Sequence, residues 1–134
     1  MSAKLIANLL NIVSEQQQIK WEPYSANGRH NVEICSLYNA RNANNEGPAA
    51  ALLKYKPGAW VTRHVHLGYE LIFVLEGELT NDTGTHKAGT LEICPPGSSH
   101  NLSSEKGCVF LVVWEQPVVV DESILEAMQE SLSS

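Results

Sequence analysis

The stretch RHVHLGYELIFVLEGE, residues 63–78, decides how this chain is read. His64 and His66 stand two apart, Glu70 follows four residues after the second histidine, and an apolar run begins there. On a β-strand, residues two apart face the same side, so both imidazoles enter one space. The turn Leu67-Gly68-Tyr69 then lets Glu70 open the next strand on that same side. Beyond it, Ile72 and Val74 share the inward face, while Leu71, Phe73 and Leu75 point outward. That outward face is also apolar, so a second layer or a second subunit has to cover it. Histidine and glutamate resist full burial unless each has a partner, and a metal ion is one such partner.

A fourth candidate lies in GTLEICPPGSSH, residues 89–100. Pro95 and Pro96 stop the strand, Gly97 turns the chain, and His100 follows at the return. Imidazole and carboxylate ligands at about 2.0–2.2 Å suit a divalent transition metal, with one or two positions left for water, oxygen or substrate. Taken singly, each residue has a plainer reading: surface histidines, an exposed cross-strand glutamate, a solvated loop histidine. The case rests on the combination and its spacing. His30 and His86 are read as loop residues without partners and stay outside the set.

The rest of the chain fits a small β fold. It has 134 residues, the size of one domain, and 43% hydrophobic content, which suits a packed core. Nine basic and fifteen acidic residues give a net charge of −6 with no Lys/Arg cluster, against a nucleic-acid partner or an anionic membrane surface. No apolar stretch approaches a membrane span. The opening MSAKLIANLLNIVSEQQQ has two asparagines inside its apolar patch and no small-residue cleavage site, so a cytoplasmic protein is expected. Cys35, Cys94 and Cys108 are widely spaced and odd in number, as expected of reduced thiols on buried strand faces.

Segments of strand character are VEICSLY (32–38), AAALLKY (49–55), WVTRHVH (60–66), ELIFVLEGEL (70–79), GTLEICP (89–95) and GCVFLVVW (107–114). Turn chemistry separates them, including KPGA before Trp60, the hairpin signal NDTG at 81–84, and the run PPGSSHNLSSEK. Ile6, Leu9, Leu10 and Val13 recur at helical spacing, which predicts an amphipathic helix over about 3–17. Ile124, Leu125, Met128 and Leu132 do the same behind a Ser123/Glu126 capping box, which predicts a helix over about 122–132. There is no internal repeat and no linker. One all-β domain over 1–134 is expected, a sandwich or barrel with its core at about 30–116.

These residues resemble a known family. GAWVTRHVHLGYELIFVLEG, residues 58–77, meets every specified position of the first cupin motif, G(X)5HXH(X)3E(X)6G. GTLEICPPGSSHNLSS, residues 89–104, resembles the second, G(X)5PXG(X)2H(X)3N, with Ser104 in place of the closing Asn. The resemblance implies a small antiparallel jelly-roll barrel with metal ligands His64, His66, Glu70 and His100. Gly58, Gly77, Gly89 and Gly97 would make the turns. The departure at Ser104 touches no ligand and bears on a local turn or hydrogen bond only. More narrowly, KWEPYSANGRHNVEICSLY, the paired prolines and the Gly-Cys before the last long strand are similar to the cupin domain of ChrR anti-sigma factors. The zinc-binding, sigma-contacting part of those proteins, with its HxxxCxxC motif, has no counterpart in these residues. The metal-binding barrel is therefore implied and the anti-sigma activity is not.

The resemblance implies one divalent transition metal ion per chain, with Zn or Fe(II) foremost and Mn or Ni as further choices. It also implies a small-molecule ligand or substrate and a homodimer. Two functions remain open. One is a metal-dependent dioxygenase acting on a small oxygen-chelating compound, with Tyr69 or a loop residue to orient it. The other is a zinc-bound sensor or binding module without turnover. A purely structural barrel ranks last, because it would leave four polar side chains unsatisfied in an apolar interior. No catalytic acid or base is assigned.

Overall fold

A computed structural model describes residues 2–120. Nine antiparallel strands follow one another in this region: β1 (Glu22–Pro23), β2 (Arg29–Asn39), β3 (Ala49–His66), β4 (Glu70–Asn81), β5 (Gly84–Lys87), β6 (Leu91–Cys94), β7 (Ser99–Ser104), β8 (Cys108–Trp114) and β9 (Val118–Val120). They join in one curled sheet. β3 pairs with β2, β7, β8 and β9, and β4 pairs with β5, β6, β7 and β8, so these two long strands form the frame of a small barrel. The closing pairings run through β8, which bonds to both Ala49–Tyr55 of β3 and Glu70–Gly77 of β4.

The segment KPGA lies within β3 and is not a turn between two strands. Pro57 has no N–H to give a ladder, and Gly58 takes φ 87°, so the strand bends there without ending. The bend also changes partners: Ala49–Tyr55 pair with β8, whereas Ala59–Val65 pair with β7. The sequence SHNLSS, expected as loop, is strand β7. Its side chains alternate, with His100, Leu102 and Ser104 buried and Ser99 and Asn101 exposed. The hairpin at 81–84 forms as expected, with Asn81 opposite Gly84. Gly77 is held to glycine twice over: φ is 75°, and a Cβ there would collide with the Gly107 carbonyl oxygen.

The barrel interior is filled by Tyr55, Val61, Ile72, Val74, Phe110 and Val112, with Tyr55 and Phe110 edge to face at 5.1 Å. A second apolar layer lies on the outside, where Leu52, Leu75 and Val109 of the sheet meet Val13 and Ile19. The alternation read from β4 holds: Ile72 and Val74 belong to the inner cluster, and Phe73 and Leu75 to the outer one.

The segment that supplies this cover is not the expected helix over 3–17. It consists of turns and a single 3-10 turn, Val13–Glu15, with Asn8 at φ 56° and Ile12 at φ 49°. Asparagine tolerates this left-handed conformation, and the kinks let Ile6, Leu9 and Val13 reach the sheet one after another. Leu10, part of the same helical period, remains 71% exposed. Packing on the sheet has overridden helical periodicity here. The expected helix over 122–132 lies outside the described residues. Among the described residues, no helix is long and apolar enough to cross a membrane.

Candidate metal centre

Each candidate ligand is placed by a strand. His64 and His66 end β3, Glu70 starts β4, and His100 enters β7 directly opposite His64. β3 and β4 are not paired with each other, so Glu70 reaches the histidines across the barrel interior, held by its ladder partners Cys94 and Trp114. All four residues are 2–3% exposed. His30 and His86 remain outside the group, although both lie on strands rather than loops: His30 stacks on Trp60 at 3.8 Å, and His86 Nε2 lies 2.9 Å from Thr83 Oγ1.

The atoms that converge are three imidazole Nε2 nitrogens and Glu70 Oε2. His64 Nε2 and His100 Nε2 are 2.8 Å apart, His66 Nε2 and Glu70 Oε2 2.6 Å, and His100 Nε2 and Glu70 Oε2 3.5 Å. Ligands at about 2.0–2.2 Å around one octahedral or tetrahedral ion are separated by roughly 2.8–3.6 Å, a range that takes in two of these three distances, with the His66–Glu70 pair slightly shorter. His66 Nε2 and Glu70 Oε2 are close but not aligned as donor and acceptor, and both are buried without a hydrogen-bond partner. A buried carboxylate without a counterion costs several kcal/mol, far more than one ordinary hydrogen bond returns. A cation at the common point satisfies all four atoms.

The far side of each imidazole is also held. His66 Nδ1 lies 2.9 Å from Ser98 Oγ, whose hydroxyl donates to the Pro95 carbonyl at 2.6 Å. The serine oxygen therefore accepts from Nδ1–H, which leaves a lone pair on Nε2. His100 Nδ1 is 3.0 Å from Glu92 Oε1, and His64 Nδ1 faces the Thr62 carbonyl at 3.4 Å. Outer partners of this kind fix the tautomer and aim of metal-ligating histidines. Electrostatics agree. Burial, followed by the charge of His100, lowers the His64 pKa to about 3, so its ring is a neutral donor at physiological pH. Burial alone would raise Glu70, but contact with His66 and the positive charge that the imidazoles can carry outweigh it, and Glu70 stays an anion.

Glu92 and Ser98 were not singled out in the sequence. The signal for Glu92 is its place two residues before Cys94 on a short strand, which puts it on the inward face. Tyr69, a candidate for orienting a substrate, is 52% exposed in the turn before β4. Cys94 and Cys108 are buried as expected and Cys35 is partly buried, with all three as free thiols.

The ChrR Cupin-like domain family matches residues 10–118. The chain belongs to that family.

Among solved structures, the acetylacetone dioxygenase of Acinetobacter johnsonii superposes with a TM-score of 0.66 at 13% identity, over 88% of this chain and 78% of that one. The polyketide cyclase RemF of Streptomyces resistomycificus gives 0.67 at 19% identity, over 90% and 86%. The Rhodobacter sphaeroides complex of SigE with the anti-sigma ChrR gives 0.61 at 26% identity, over 82% of this chain and 57% of that one. No curated protein matches the chain. The likenesses at 13% and 19% identity establish the cupin fold. Ser104, which stands where the second cupin motif closes with Asn, is buried, and its hydroxyl donates to the Glu78 carbonyl at 2.6 Å, tying β7 to β4.

Proposed function

We propose that this cupin holds one divalent transition metal ion per chain through His64, His66, Glu70 and His100, and uses it to bind and oxidise a small oxygen-chelating organic compound with O₂. The observation that carries the reading is the pair of buried, partnerless atoms, His66 Nε2 and Glu70 Oε2, converging with two further Nε2 atoms. A redox-active ion such as Fe(II) supplies a Lewis acid and an electron source with positions open to ligand and oxygen. The protein's own part is to fix the ligands and exclude water. Ser98, Glu92 and the Thr62 carbonyl hold the imidazoles, Glu70 stays anionic, and Ile72, Val74 and Trp114 share its inward-facing strand positions or ladder. Tyr55 and Cys94, other titratable groups of the interior, are kept protonated because burial pushes their pKa values up, so neither serves as a base. That favours chemistry carried by metal and oxygen over general acid–base chemistry.

A second reading, a zinc-bound sensor without turnover, is favoured by the 26% identity to the anti-sigma complex. Oxygen uptake separates the two. Protein reconstituted anaerobically with Fe(II) is expected to consume O₂ on addition of enolisable diketones or aryl hydroxyketones, and the zinc form is not. No uptake by the iron form across such a panel, with ligand-dependent rises in Tm for both metal forms, would overturn the oxygenase reading in favour of the sensor.

The assembly we propose is a homodimer. The outer face of β4 and β6 leaves Leu71, Leu91 and Ile93 at 40–62% exposure beside one another in the ladder, beyond the reach of the N-terminal cover. A two-fold pairing would bury this patch against itself. Light scattering at micromolar concentration is expected to give twice 14.7 kDa, and a monomer mass would contradict it.

A further inference from the structure

His100 presents a nitrogen to each of two groups. Its Nε2 meets His64 and Glu70, and its Nδ1 meets Glu92 and Cys94. Glu92 and Cys94 stand two apart on β6, opposite Ile72 and Glu70, so both side chains share the inward face. Glu92 Oε1 lies 3.0 Å from His100 Nδ1 and Cys94 Sγ lies 3.9 Å from it. All three donor atoms fall within 4.8 Å of one another.

That spacing suits one ion. Around a tetrahedral zinc, nitrogen stands roughly 3.3 Å from a carboxylate oxygen and roughly 3.5 Å from a thiolate sulfur. The observed separations lie close to these values, one shorter and one longer. The charges suit it as well. A thiol gives up its proton to a metal that it coordinates, so Glu92 and Cys94 together supply two negative charges for one dication. Glu70, in hydrogen-bond contact with Cys94, adds to the negative field. Among the described residues no lysine or arginine is paired with Glu92. Thiolate with imidazole is a donor set that favours zinc over harder ions. Glu92 is 24% exposed and lines a cavity of about 310 Å³ with Asn81, Thr83 and His86, which gives an ion a path from solvent.

The shared imidazole sets the two positions against each other. A neutral imidazole has one acceptor nitrogen and one N–H. His100 can offer Nε2 to the four-residue cluster while Nδ1–H donates to Glu92, or it can offer Nδ1 to the second group with the proton on Nε2. An ion in either position takes a ligand from the other, and two dications so close repel.

We propose that Glu92, Cys94 and His100 Nδ1 form a second ion site, selective for thiophilic dications such as zinc, that excludes the ion held by His64, His66, Glu70 and His100. Binding releases the Cys94 proton to solvent and moves the His100 proton from Nδ1 to Nε2. The second site stands on its own donor atoms; the exclusion rests on the metal-centre reading above. Zinc in excess then displaces a harder ion from the main centre and acts as a brake on the chemistry that ion supports.

Cadmium is the probe, because it takes zinc's ligands and gives a sulfur-to-metal charge-transfer band in the ultraviolet. Metal-free wild type titrated with Cd²⁺ is expected to show that band, Cys94→Ser to lose it and Cys35→Ser to keep it. Should Cys94→Ser not fold, Cys94→Ala takes its place. Glu92→Gln should raise the cadmium needed for half-saturation by at least about tenfold. The His64→Ala/His66→Ala double variant should keep the band, since neither residue belongs to the second site. Protein loaded with Mn²⁺, which favours oxygen and nitrogen ligands, tests the exclusion. Wild type should release its manganese, read by electron paramagnetic resonance, at a cadmium concentration at least about tenfold lower than Cys94→Ser requires. No band in wild type, or a band that survives the Cys94 substitution, overturns the second site. Equal manganese release by the two proteins overturns the exclusion. Wild type that shows the band yet holds no manganese overturns the metal-centre reading and leaves the second site standing.

Discussion

The barrel has two buried regions built on opposite principles. Outside the sheet, Val13, Ile19, Leu52, Leu75 and Val109 form an apolar layer with no titratable group among them. In the interior, His64, His66, Glu70 and His100 are just as buried and wholly polar. The outer layer gains stability in proportion to the area it removes from water, and any side chain of suitable volume would serve. The inner cluster gains nothing from burial as such. Its atoms are costly to desolvate and are repaid only by a partner of the right charge at the right distance. The first region explains why the chain folds; the second is the candidate metal centre.

Substitutions that strike only one region would sharpen this contrast. Leu52, fully buried in the outer layer, should cost about 2–5 kcal/mol when changed to Ala. Urea unfolding reads this, and bound metal per folded chain should stay unchanged. A loss of metal with little loss of stability would break the separation.

Acid should strike the other region. In metal-free protein, His64 titrates near 3 when folded against 6.5 when exposed, so the unfolded chain takes up a proton that the native state refuses. Stability should therefore be full above about pH 6.5 and fall by about 2 kcal/mol by pH 5. Glu70, also lowered, acts in the same direction at still lower pH, because its contribution is lost as pH falls through its folded pKa. Equal stability of the metal-free form at pH 7.5 and pH 5 would contradict the burial of a neutral imidazole.

Smaller effects test the supports. Glu92→Gln keeps the shape but removes the anion that holds His100, and should weaken metal affinity by about 10- to 100-fold in a chelator competition. Ser104→Ala removes the hydroxyl that ties β7 to the Glu78 carbonyl and should cost about 1 kcal/mol by thermal unfolding, with metal affinity within error of wild type.

The inward and outward faces of β4 and the four-residue cluster were legible because alternation and the 64/66/70/100 spacing are local signals that strand geometry converts directly into space. β7 was hidden for a chemical reason: Ser99, Asn101 and Ser103 carry turn-like composition, and only the alternation of His100, Leu102 and Ser104 marked the strand. The bend at Pro57-Gly58 looked like a chain reversal, because proline and glycine signal a break in the ladder without saying whether the strand resumes. The N-terminal helix failed because its period matched, but the sheet's outer face offered Ile6, Leu9 and Val13 more burial in an irregular path.

The central claim is that the polar interior is a ligand shell. Metal content per chain, measured on protein purified without chelator, tests it most directly in wild type and in the His64→Ala/His66→Ala double variant. The account predicts about one transition-metal ion per wild-type chain and almost none in the variant. Equal metal content in the two proteins would contradict it.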